Sequence, residues 1–232
     1  MKTYDQFCPI AKAAEIFCER WNALILRDLW KGSSRFSELH RGVPLMSPSM
    51  LSKRLAQLEK EGIITRKKCK DSKYCTYHLT PAGQEMTSIV KALGIWGQHW
   101  GRRELADNEI NLGLMIWEME RGVRPAVFGS GRTVVQLDLT DQPRGKSTWW
   151  FVNENGALDL CLNDPGYEVD LYLVTTLPDM IHVWRGDLPF SEATESGRLE
   201  VHGPLRLRRV LRTWLKLSPF SVYKSKALEP AC

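Results

Sequence analysis

Apolar residues in the first third of the chain recur at helical spacing and are interrupted by polar or glycine stops. Residues 9–31 read as two helices with a break near Glu19–Trp21. Ala11, Ala14 and Phe17 or Cys18 line one face of the first, and Leu24, Ile25 and Leu29 give the second its stripe. Gly32 closes that helix as a C-terminal stop. Phe36-Ser37-Glu38-Leu39 opens a short helix ending near Gly42, and a turn at 43–46 leads to Ser47-Pro48. There the serine can cap free N–H groups, and proline at the first helical position loses no hydrogen bond. Leu51, Leu55 and Leu58 then share a buried face, while Ser49, Lys53, Ala56 and Lys60 point the opposite way. After Gly62 the pattern shortens: residues 63–68 and 75–79 read as a hairpin around Lys70-Asp71-Ser72-Lys73. Thr80-Pro81 starts a long helix in which Met86, Ile89, Leu93, Trp96 and Trp100 recur at spacings of 3, 4, 3 and 4, an a/d seam suited to a second subunit.

The second half has a different rhythm. A helix at 108–121 precedes short strands at Thr133–Leu139, Ser147–Val152, Ala157–Leu162 and Glu168–Thr175, separated by Gly- and Asn-rich turns and read as a four-strand meander. Two helices (Leu177–Trp184, Pro189–Glu195), a strand (Arg198–His202) and a helix (Pro204–Leu217) complete it. The fold class expected is α+β: a helix-turn-helix unit with a hairpin wing, then a small α/β domain with a mainly antiparallel five-stranded sheet. Domain limits are 1–103 and 108–217, with 218–232 as a tail.

Charge sharpens this division. Residues 1–106 hold 18 Lys/Arg against 10 Asp/Glu, a balance of +8, whereas residues 107–232 hold 14 against 17, a balance of −3. A basic first half suits a polyanionic partner. The helix after Ser47 carries short side chains near its start and lysines on its outward face, which a helix entering a major groove needs for base edges and phosphates. Double-stranded DNA is the partner this predicts.

Other chemistries find little support. The six cysteines include no Cys-x-x-Cys, and the five histidines do not cluster, so no metal site is expected. Phosphate loops, nucleophile elbows and zinc-protease motifs are absent, so neither catalytic residues nor a cofactor are predicted. No apolar run reaches membrane-spanning length, and the first residues, with Asp5 and Glu15, lack a secretion signal; a cytoplasmic location without membrane contact is the expectation.

Taken together, Cys8-Pro9-Ile10, Arg20-Trp21, Leu24-Ile25-Leu26-Arg27-Asp28-Leu29, Arg35-Phe36-Ser37-Glu38-Leu39, Ser47-Pro48, Leu51-Ser52-Lys53-Arg54-Leu55 and Tyr77-His78-Leu79-Thr80-Pro81-Ala82-Gly83 resemble HxlR-type bacterial regulators over residues 7–101. The resemblance implies a winged helix, a homodimer and operator binding by the helix after Ser47. The DNA-contacting candidates are then Ser47, Ser49, Lys53 and Arg54 on that helix, with Lys67, Lys70 and Lys73 on the wing. Met86, Ile89, Leu93, Trp96 and Trp100 are the dimer candidates. Some members sense oxidants at a cysteine placed like Cys8, and Lys2 and Lys12 could help ionise it. Cys69 and Cys75 would face each other if the wing turned at Ser72, as strand filling or as a thiol pair.

The order of elements in the second half, with Arg185-Gly186-Asp187-Leu188 and Ser196-Gly197-Arg198-Leu199-Glu200-Val201-His202-Gly203, resembles the sterol-carrier-protein-like domain. That implies an apolar cavity for a lipid-like effector, lined by candidates Trp149, Phe151, Tyr172 and Trp184; the same aromatics could simply fill a core. The expected function is a DNA-binding transcription regulator modulated by an apolar ligand or by thiol oxidation. The alternative is a lipid-like carrier whose winged helix serves protein interaction.

Overall fold

The computed structural model describes residues 3–68, 74–101, 104–224 and 226. They fall into two units, Met1–Trp96 and Gly97–Cys232.

In the first unit, α1 (Pro9–Phe17) and α2 (Asn22–Trp30) are separated where the pattern breaks. Trp21 turns the chain with φ +83°, and the buried Asn22 amide donates to the Ile16 carbonyl at 2.7 Å. The buried stripe of α2 is Ile25, Leu26 and Leu29, with Leu24 exposed. At 100° per residue the centre of that stripe lies between Ile25 and Leu26, so Leu24 falls off its edge. On α1 it is Phe17 that packs against the core, while Cys18 is exposed. Helices α3 (Phe36–Gly42) and α4 (Pro48–Lys60) follow, then β1 (Ile64–Lys68) paired antiparallel with β2 (Cys75–Leu79), and α5 (Pro81–Trp100). Leu39, Leu51, Leu55, Leu58, Ile64 and Val90 close one core with the α2 residues.

Two close approaches fix this arrangement. Asp28 is completely buried, and its carboxylate accepts from Arg27 Nη2 at 2.9 Å and Nε at 3.3 Å. The same Nη2 donates to the Gly42 carbonyl at 2.8 Å, tying α2 to the end of α3. A Cβ on Gly42 would stand 2.0 Å from Asp28 Oδ2. Similarly, a Cβ on Gly83 would stand 2.1 Å from the Ile63 carbonyl oxygen. Thr80 caps α5 by accepting from the Gly83 N–H at 3.2 Å and donates to the Gly62 carbonyl at 2.6 Å. The Thr-Pro-Ala-Gly string is therefore a joint between wing and helix.

The second unit packs α6 (Leu112–Gly122), α7 (Leu177–Arg185), α8 (Phe190–Glu195) and α9 (Leu205–Trp214) with a five-stranded sheet. Its strands are β3 (Thr133–Leu139), β4 (Thr148–Glu154), β5 (Ala157–Cys161), β6 (Leu171–Thr175) and β7 (Leu199–His202), in the order β5-β4-β3-β6-β7. The sheet is mixed, because β3 and β6 run parallel while the other three pairings are antiparallel. The expected four-strand meander is therefore corrected to three strands. After β5 the chain crosses to the far side of β3, which is apolar on both faces at Val134 and Val135 and takes the centre. Val135, Leu137, Phe151, Leu171 and Leu173 share one face, and it packs on Met115, Met119, Met180, Val183, Leu211 and Trp214. A buried polar lock joins sheet to helix: Trp214 Nε1 donates to Asn153 Oδ1 at 2.7 Å, and the Asn153 amide donates to the Thr133 and Phe151 carbonyls. The first part of the expected tail also belongs to this unit, since Ser218 is buried and its N–H donates to the Trp184 carbonyl at 2.9 Å. Among the described residues, no helix is long and apolar enough to cross a membrane.

Gly42→Ala should displace the buried Arg27–Asp28 pair and cost at least about 2 kcal/mol, read as a lowered urea midpoint. An unchanged midpoint would contradict the close approach.

Candidate nucleic-acid interface

The second helix of the turn motif is held from both ends. Ser47 caps α4 by accepting from the Met50 N–H at 3.3 Å, with Pro48 next to it. Before it, the His40 ring N–H donates to the Met46 carbonyl at 2.8 Å and pins the turn. Glu38 caps α3, accepting from the Ser34 and Arg35 N–H groups at 2.8 and 3.0 Å. With Leu51, Leu55 and Leu58 buried, Ser49, Lys53, Ala56 and Lys60 are all exposed along the opposite face.

Arg54 does not join them, a correction to its reading as a DNA contact. Its guanidinium is half-buried, bound to Glu19 at 2.6 Å and to Gln57 Oε1 at 2.8 Å, and so braces α4 against the α1–α2 break. On the wing, Arg66, Lys67 and Lys68 are exposed in β1. Arg66 has its pKa raised above the ordinary value, first by a side-chain hydrogen bond with Cys75. Lys70 and Lys73 lie outside the described residues, as does Cys69. The strand register pairs Cys75 with Lys68.

Between α3, α4 and the wing lies a groove of about 820 Å³ lined by Arg35, Ser37, Ser52, Arg66, Tyr74 and Tyr77 among others. Arg35 and Ser37 at the start of α3 and Ser52 on α4 line it as well, beyond the DNA-contacting candidates the sequence suggests. The signal was present: an arginine and a serine flank the first residue of the helix preceding the turn. Such a groove, with hydroxyls and two guanidiniums, offers phosphate contacts.

Along α5, Met86 packs against the core, but Ile89, Leu93 and Trp96 are 43%, 48% and 62% exposed. Trp100, which falls in the second unit, is 46% exposed. Cys8 is half-buried at the N-cap of α1. Lys12 does not serve it in the way expected: its ammonium faces Glu15 at 3.5 Å, and Lys2 lies outside the described residues. The Glu15 carboxyl is held below its usual range, first by the Tyr4 N–H and then by the Thr3 hydroxyl.

The four aromatic candidates of the second unit do not converge. Phe151 is fully buried edge-on to Trp214, ring centres 5.5 Å apart, and is core. Tyr172 pairs in register with Gln136, as does Trp150, on the opposite sheet face, and is exposed. Trp149 and Trp184 remain half-buried against the helix-covered core. Strand alternation decides this, because residues one apart in register point to opposite faces. No group of three or more potential metal ligands occurs among the described residues.

Residues 16–105 match the HxlR-like helix-turn-helix family. The chain is 36% identical over 98 residues to the uncharacterized HTH-type transcriptional regulator YvaP of Bacillus subtilis (strain 168), spanning 41% of this chain and 91% of that protein. It is 34% identical over 98 residues to the uncharacterized HTH-type transcriptional regulator sll1512 of Synechocystis sp. (strain ATCC 27184 / PCC 6803 / Kazusa), spanning 42% and 73%. Among solved structures, diamide-treated YodB from B. subtilis matches at 30% identity with a TM-score of 0.35, over 40% of this chain and 93% of that one. The relatives are transcriptional regulators, not enzymes.

Arg54→Ala and Glu19→Ala should each cost about 1–2 kcal/mol of stability, and a double-mutant cycle should show that the losses are not additive. Additive losses would mean the bridge contributes nothing.

Proposed function

Since this chain belongs to the family of HxlR-like helix-turn-helix transcription regulators, we propose that it binds operator DNA as a homodimer through α4 and the wing. The observation that carries this reading is the exposed face of α4, with Ser49 near its start and Lys53 and Lys60 beyond, beside exposed Arg66, Lys67 and Lys68. Small side chains let the helix approach base edges, and the flanking cations meet phosphates. Arg35, Ser37 and Ser52 extend the contact along the groove. The dimer is supported by Ile89, Leu93 and Trp96, a stripe of large apolar groups that a lone protomer leaves in water. Two-fold pairing would place half-sites about 10 base pairs apart.

The second domain enters this reading as an effector module. Its element order supports a sterol-carrier-like fold, and Trp149 and Trp184 are the aromatics left to meet an apolar ligand. Cys8, half-buried at the N-cap of α1, is the thiol this reading assigns to oxidant sensing. Repeating a gel shift with oleate, and with peroxide on wild type and Cys8→Ser, tests both inputs. An operator affinity unmoved by either would remove them.

A salt-dependent gel shift on the chain's own upstream region tests the central reading. Lys53→Ala should weaken specific binding by about 1–3 kcal/mol where the lysine reads a base, and by less at a phosphate. Equal affinity of wild type and variant would unseat α4 as the reading helix. For the dimer, Trp96→Glu should yield a monomer by light scattering at micromolar concentration; a wild type that is itself monomeric with and without DNA would sink the two-fold interface.

A further inference from the structure

Helix α9 concentrates positive charge in a domain that is otherwise net negative. Arg206, Arg208, Arg209 and Arg212 are all exposed on it, and Lys216 follows just beyond its end. No Asp or Glu occurs between Glu200 and Glu229. Elsewhere in the same unit four arginines are paired, Arg121 with Glu118, Arg132 with Glu154, Arg185 with Asp187 and Arg198 with Asp179, while Arg124 and Arg144 stand singly rather than in a stripe. The four guanidiniums of α9 have no hydrogen-bond or ion-pair partner among the described residues. Like charges at i,i+3 and i,i+4, as at 206/209, 208/212 and 209/212, repel and destabilise a helix. A fold that keeps such a stripe without acidic relief carries an uncompensated cost unless an anion covers it.

We propose that the arginine face of α9 is a second, sequence-independent contact for the phosphodiester backbone of duplex DNA. The inference rests on the reading of the chain as a DNA-binding regulator. The stripe from Arg206 to Arg212 is about 9 Å long at 1.5 Å per residue, and B-DNA presents about one negative charge per 1.7 Å of axis. Guanidiniums suit phosphate because they donate in a planar fork. An anionic membrane surface is the weaker fit. Interfacial helices bury an apolar face in the bilayer, whereas on α9 Leu207, Leu211 and Trp214 are already buried in the domain core and Leu205, at its start, is the one large apolar side chain well exposed. Since both contacts belong to one chain, an engaged α4 raises the effective concentration of α9 at the same duplex.

The test uses the full-length protein and a variant in which the four arginines become glutamine (R206Q, R208Q, R209Q, R212Q). Fluorescence anisotropy follows binding to a labelled 30-base-pair duplex from the upstream region and to a scrambled duplex, across a salt series. The glutamine variant should bind both duplexes at least about tenfold more weakly at 0.1 M salt, and its slope of log affinity against log salt should be shallower by about 2–4. The corresponding four-lysine variant should keep the wild-type slope. Circular dichroism melting checks that each variant folds, and the double variant R206Q/R209Q gives an intermediate slope should the fourfold change unfold the domain. An unchanged slope in folded glutamine variants overturns the inference alone. A lysine variant as weak as the glutamine one also overturns it, because charge would then not be the cause. Binding by wild type, but not the glutamine variant, to phosphatidylserine vesicles with DNA affinity unaltered overturns it in favour of a membrane surface. Failure of the wild type to bind either duplex overturns the regulator reading itself.

Discussion

The buried carboxylate of Asp28 is the constraint on which the first unit turns. A charge with no solvent access persists only if its neighbours supply the hydrogen bonds water would have given. Arg27 supplies two and spends a further N–H on the Gly42 carbonyl. Side chain and backbone therefore meet at one point, which only a residue without a Cβ can occupy. Because Gly42 ends α3, the position of that helix is set by the pair, and the pinned turn from His40 to Met46 passes it on to α4. The aim of the helix proposed to read DNA thus depends on an ion pair carried by another helix.

The second unit solves the equivalent problem with a neutral lock. Asn153 is buried in β4 and has both ends of its amide occupied, by two sheet carbonyls and by the Trp214 indole. The largest side chain of α9 is thereby oriented against Phe151. With its inner face committed in this way, α9 turns outward a face made chiefly of arginines. Each unit thus holds one buried polar side chain between two elements, Asp28 in the first and Asn153 in the second.

Much of this was legible in the sequence because local signals agreed. Ser47-Pro48, the Leu51/Leu55/Leu58 stripe and the Thr80-Pro81 start each combine a cap with periodicity, and the elements follow them closely. What escaped was set by long-range pairing. The position of β6 beside β3 depends on a crossover that strand spacing does not encode. The role of Arg54 was hidden for the same reason, since its partner Glu19 lies 35 residues earlier. The α9 stripe was readable as letters, but the net charge of the half-chain averaged it away. Of the interface, the α4 face was visible, while Arg35 and Ser37 needed the fold to bring α3 beside the wing.

The parallel pairing of β3 with β6 also has a consequence in time. Residues of the first unit make their contacts within the first 96 positions, whereas the central strand of the second unit waits for Leu171–Thr175, and the Asn153 lock waits for Trp214. At translation rates of about 5–20 residues per second, the winged helix leaves synthesis on the order of ten seconds before the second sheet can close. During that interval a nascent chain carries a winged helix with all its own residues in hand and an unfinished companion. Any control exerted by the second domain thus begins only after the first can fold.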